Sequence, residues 1–160
     1  MNRKIIYIIA LITCFALPAN AQFSKVLEEI SNLKGVTSVN ISETMLELIG
    51  GSAAQYIDAD NINVAAIMPK LKSISILNTE DAKSMKQMSL KLNEYIAQSK
   101  LQPLMTTKED DEITRIYFNE AKKKGEYSNF ILWVEEIDEI SFICLSGTFT
   151  VQDLKAIMNQ

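Results

Sequence analysis

Apolar and polar positions along the chain change rhythm several times, and each change predicts an element. Ile5 to Leu17 is an almost unbroken apolar run between Met1-Asn2-Arg3-Lys4 and Pro18-Ala19-Asn20-Ala21. Phe23, Val26, Leu27, Ile30 and Leu33 then recur at helical spacing and stop at Gly35. Val39 and Ile41 alternate with Ser38 and Asn40, which predicts a strand over Val36 to Ser42. A short helical turn over Thr44 to Ile49 is closed by Gly50-Gly51, and 52–60 reads as a loop. Asn61 can cap a second short helix through Met68, ended by Pro69. Ser73 to Leu77 is the next strand, and Asn78 with Asp81 three residues on is a helix-start signal. The helix to about Ser99 carries Met85, Met88, Leu92, Tyr95 and Ile96 in one stripe. Such a stripe is ordinary core packing or an adaptable methionine-rich groove.

The second half is strand-rich. Leu101 to Thr107, Ile113 to Glu120, Tyr127 to Glu135 and Ile140 to Ser146 are four strands with short connections, the pattern of an antiparallel meander. Thr150 with Asp153 opens a terminal helix that presents Val151, Leu154, Ile157 and Met158 inward. Gly35 to Met45 and Leu71 to Glu80 share one local plan, strand to polar cap to helix, without a solenoid period. Together these elements predict an α+β fold. Its sheet is mixed but mostly antiparallel, ends in a C-terminal four-strand meander, and has helices mainly on one face. If the strands at Val36 and Leu77 are neighbours, a right-handed crossover would make them parallel.

The N-terminal pattern bears on location. A charged start, a short apolar run and the Ala19-x-Ala21 site form a secretory signal peptide over 1–21, with cleavage before Gln22. The run is short for a membrane-spanning helix, which needs about 20 residues. A periplasmic or secreted chain of residues 22–160 is expected, one domain with no transmembrane segment after cleavage. The alternative is a lipoprotein anchored at Cys14 in Leu11-Ile12-Thr13-Cys14, although Thr13 stands where a smaller residue is usual.

Cleavage removes Arg3 and Lys4 and leaves fourteen basic side chains against twenty acidic ones, a net charge of −6. An acidic surface argues against nucleic acid and anionic lipid. The chain has no histidine, so the commonest general base and the histidine-dependent dyads are missing. Cys144 alone survives cleavage, flanked by Phe142, Ile143 and Leu145, and is expected to be buried.

The whole mature chain resembles the domain of unknown function 4252 family, small envelope proteins of Bacteroidetes. The resemblance is carried by the leader ending Ala-Asn-Ala-Gln and by the helix entering Gly35-Val36-Thr37-Ser38-Val39-Asn40-Ile41-Ser42. The long later helix, the paired hairpins, and Leu145-Ser146-Gly147-Thr148-Phe149 before Asp153-Leu154 add to it. It implies no established activity and transfers no catalytic residue. Some members of such families lie beside extracytoplasmic sigma factors, which would imply a regulatory role.

Two constellations remain. Alternate turns of a meander fall at one end of the sheet. Glu109, Asp110, Asp111 and Glu112 should therefore share a pole with Glu135, Glu136, Asp138 and Glu139, opposite Lys122, Lys123 and Lys124. Such a pole could hold calcium, steer a basic partner, or simply keep strand ends soluble. The spacing of a calcium loop is absent. Secondly, the last two strands are apolar on both sides. They are covered on both faces, or one face carrying Tyr117, Tyr127, Ile131 and Trp133 is free as an interface. No nucleophile elbow, P-loop, Cys-x-x-Cys or dinucleotide fingerprint occurs. The expected function is a non-enzymatic binding or regulatory module of the cell envelope with a protein partner and no cofactor. A self-associating structural component is the alternative, and a carboxylate-dependent hydrolase the less favoured one.

Overall fold

The computed structural model describes residues 19–49, 64–99, 101–121 and 123–158. The leader run, Cys14, the loop at 50–60 and Asn61 lie outside them. Helix α1 spans Ala19–Ser31, so the expected cleavage point before Gln22 falls in its first turn. Strand β1, Val36–Ser42, leads into the two-turn helix α2, Glu43–Ile49. A 3-10 helix, Val64–Lys70 with Pro69 inside it, takes the place of the second short helix and runs into β2, Leu71–Thr79. Helix α3 is Ala82–Gln98. Strands β3 (Gln102–Lys108), β4 (Glu112–Glu120), β5 (Glu126–Glu136) and β6 (Ile140–Thr150) follow, then α4, Val151–Met158.

The six strands form one sheet in the order β1-β2-β6-β5-β4-β3. Its ladders are antiparallel throughout, and β3 to β6 are the expected meander. The parallel pairing expected for the first two strands is corrected: β1 and β2 run antiparallel, Val36 opposite Thr79 and Ser42 opposite Ser73. Helix α2, at 1.5 Å per residue, rises only about 10 Å. The seven-residue β1 spans about 23 Å, so α2 alone cannot carry the chain back along the sheet.

Helices occur on both faces. The two long ones, α1 and α3, bury Phe23, Ile30, Met88, Leu92 and Tyr95 against Ile131, Trp133, Phe142 and Cys144. The Phe23 ring lies 5.0 Å from Tyr95 and 6.4 Å from Phe142, which ties α1 to α3 and to β6. On the opposite face the short α2, the 3-10 helix and α4 contribute Leu46, Ile67 and Leu154 over Ile41, Ile74, Phe130, Leu132, Leu145 and Phe149. One-sided coverage therefore holds for the long helices only. The methionine stripe of α3 is core: Met88 and Leu92 are fully buried.

Caps fix where helices begin. Asp81 is the N-cap of α3, accepting from the Ser84 amide at 2.9 Å, so β2 runs on past Asn78 to Thr79. Gly35, at φ +78°, turns the chain between α1 and β1. That turn is pinned to the start of α3, since Thr79 and Ser84 donate their hydroxyl protons to the Gly35 and Lys34 carbonyls. Thr150 and Asp153 form a reciprocal cap on α4: the Thr150 amide donates to Asp153 at 2.7 Å and the Asp153 amide to Thr150 Oγ1 at 3.3 Å. Leu154 points inward as expected, whereas Val151 is 47% exposed, because the first residue of α4 faces outward from the cap.

Lys70 Nζ lies 2.7 Å from both carboxylate oxygens of Asp153. With the Thr150 bonds this holds the Asp153 carboxyl down at about 2. A depressed acid stabilises the fold above the ordinary carboxylate range, and that stability is lost as pH falls through the folded-state value. Asp153→Asn is therefore expected to flatten the acid limb of stability between about pH 4 and about 2. It should also cost about 1 kcal/mol at neutral pH as a weakened cap. Urea midpoints measured across that range check both.

Candidate functional site

The turn after β3 is closed by the Glu109 amide donating to the Glu112 carbonyl at 2.9 Å. The turn after β5 is closed by Glu136 donating to Glu139 at 2.8 Å. Glu112 stands directly opposite Glu136 in the ladder, so the two acidic turns lie side by side at one end of the sheet. Together they line a shallow groove with Glu109, Asp110, Asp111, Glu112, Glu136 and Ile137. The turn carrying Lys123 and Lys124, closed by Ala121 and Glu126 at 2.8 Å with Gly125 at φ +85°, sits at the other end, and Lys122 lies outside the described residues. Lys123 is committed there to Glu126 at 2.6 Å.

Not all eight expected acids belong to the groove. Glu135 points to the α3 face, where it pairs with Arg115 and accepts from Ser89 of α3. Glu139 accepts from Asn78 and, at 3.1 Å, from Ser141, which binds it to β2 and β6. Asp138 is exposed beside the groove without lining it. Among the described residues no three carboxylate or cysteine side chains converge as a metal-ligand group. Glu109, Asp110, Asp111, Glu112 and Glu136 thus form an open anionic rim.

Sequence reasoning passed over Ile137. It is 79% exposed at the tip of the β5–β6 turn, an apolar side chain amid carboxylates. Its only sequence signal is that it interrupts Glu-Glu-Ile-Asp-Glu. Arg115 was also missed: its guanidinium lies 4.5 Å from the Trp133 ring centroid while it pairs with Glu135.

The aromatic face proposed as an interface is covered. Trp133 is 0% and Ile131 1% exposed beneath α1 and α3, with Tyr117 packed partly buried beside them. Tyr127 is on the opposite face, edge-on to Phe118 at 4.8 Å. A bulge between Tyr127 and Asn129 shifts the alternation by one. Cys144 is buried as expected, and desolvation pushes its thiol up to about 12, so it is held as a neutral thiol rather than a nucleophilic thiolate. Among the described residues no helix is long and apolar enough to cross a membrane.

Residues 25–157 match the family described as Domain of unknown function (DUF4252), and the chain belongs to it. No curated protein and no solved structure matches the chain.

Proposed function

We propose that this DUF4252 domain is an exported, non-enzymatic binding module of the bacterial cell envelope, and that its acidic pole receives a basic segment of a protein partner. The observation that carries the reading is Ile137, 79% exposed within a rim of five carboxylates. Scattered turn charges would account for solubility alone. A large apolar side chain among them adds a place for a partner's apolar residue, and pairing one apolar contact with neighbouring charge gives affinity and register together. Export is supported by the leader pattern of Met1 to Ala21. The non-enzymatic reading is supported by the missing histidine and the neutral, buried Cys144.

The test is a titration with two synthetic peptides, oligolysine and one alternating lysine with leucine, followed through the amide resonances of 109–112 and 136–138. The mixed peptide is expected to bind more tightly, to weaken with added salt, and to lose its advantage over oligolysine in Ile137→Ser. Equal binding of both peptides, or no shift at the pole, overturns the reading. A reporter fused after residue 22 checks export separately.

A further inference from the structure

The two edges of the sheet are unlike each other. β3 carries Pro103, a register break between Pro103 and Met105, and a terminal Lys108, the devices that stop an edge from pairing with another chain. β1 has none of them. Val36–Ser42 holds no proline and no charge, and its register with β2 is unbroken along all seven residues. Apart from Val36 and Ile41 its residues are exposed, Val39 to 41%. The adjoining α2 adds Met45 and Leu48, exposed to 47% and 78%. A row of apolar side chains crosses the sheet from Met105 through Ile116, Leu132, Ile143 and Ile76, and ends in the open at Val39.

We propose that β1 is a subunit interface at which two copies of this chain pair antiparallel about a twofold axis through Val39. The sequence of the edge is self-complementary in that register. Val39 meets the partner's Val39, so the two apolar rows join into one. Thr37 meets the partner's Ile41 on the same face, and Ser38 meets the partner's Asn40 on the other, where an amide and a hydroxyl can exchange hydrogen bonds. The flanking charges decide for a second copy over an unrelated strand. Lys34 and Glu43, both exposed, bracket β1 at opposite ends. Lys34 lies just before β1 and Glu43 opens α2 just after it, so antiparallel pairing brings each Lys34 to the end of the ladder where the partner's Glu43 lies, twice by symmetry. Parallel pairing would set like charges together. This surface is separate from the acidic pole and does not depend on what that pole binds.

Sedimentation velocity over a concentration series of the purified protein tests the interface. The expected result is a dimer. Val39→Lys, which sets two ammonium groups against each other across the axis, should yield a monomer that stays folded by circular dichroism and whose thermal midpoint no longer rises with protein concentration. Lys34→Glu should weaken the dimer at least tenfold, and the swap Lys34→Glu with Glu43→Lys should restore it. A monomer at every concentration, a dimer undisturbed by Val39→Lys, or a swap that fails to restore association overturns the proposal.

Discussion

Trp133→Ala is expected to remove about 3–5 kcal/mol of stability, a large share of the 5–15 kcal/mol typical of a domain. Trp133 is 0% exposed and lies in the cluster that joins α1 and α3 to the sheet. Truncation leaves a cavity where those helices meet β5, and it takes the aromatic platform from Arg115, which sits 4.5 Å from the ring centroid. Arg115 in turn neutralises Glu135, which also holds Ser89 of α3. Loss of the ring therefore loosens a second set of contacts between α3 and the sheet. Trp133→Phe is the informative companion. The indole Nε1–H is buried without a hydrogen-bond partner among the described residues. Phenylalanine gives up some volume but deletes that unsatisfied donor, whose burial costs about 1–3 kcal/mol. Its net loss should stay well below that of alanine. Urea unfolding followed by circular dichroism separates the two, because the sole tryptophan cannot serve as the probe. A stable alanine variant that no longer associates would mean that this face is an interface after all.

The burial of Trp133 shows which part of the fold was legible. Strands apolar on both sides read as central or as half-open. β5 and β6 prove central, flanked by β4 and β2 and covered from both faces. The helical stripes, the reciprocal cap of Thr150 and Asp153, and the shared pole of the two acidic turns were all readable, because each rests on local spacing or on meander geometry. What escaped depends on non-local facts. Against β4, Ser128 is one extra residue in β5, between Tyr127 opposite Glu120 and Asn129 opposite Asn119; it moves Tyr127 to the other face, and no pattern of period two announces it. The direction of β2 depends on the whole connection from Glu43 to Lys70, which no local spacing fixes. The division of the acids depends on partners distant in sequence: Glu135 finds Arg115 and Ser89, while Glu139 finds Asn78. Charge runs show where a pole is. They do not show which carboxylates the fold has already used.

Gly147→Ala is expected to be nearly as costly as the tryptophan truncation, for the opposite physical reason. A Cβ built at Gly147 would stand 2.3 Å from the Lys70 carbonyl oxygen and 2.8 Å from the Phe149 ring. Phe149 is fully buried and the carbonyl is backbone, so neither can step aside cheaply. Overpacking of this kind costs about 3 kcal/mol at its upper end. Gly125→Ala is the control. It has open space but a φ of +85°, so it should lose only about 1 kcal/mol to left-handed strain. The collision also has an identifiable direction of relief. Lys70 ends the 3-10 helix, and its side chain holds Asp153 at the start of α4. If the 3-10 helix yields, the pair opens, Asp153 returns toward an ordinary carboxylate, and the acid limb of stability between about pH 4 and about 2 flattens, as it does in Asp153→Asn. The double variant should then add less than the sum of its parts, the sign of two sites sharing one displacement. If the acid limb stays steep in Gly147→Ala, β6 has moved instead. The loss would then appear as faster hydrogen exchange along the β2–β6 ladder near Leu71 and Ser73.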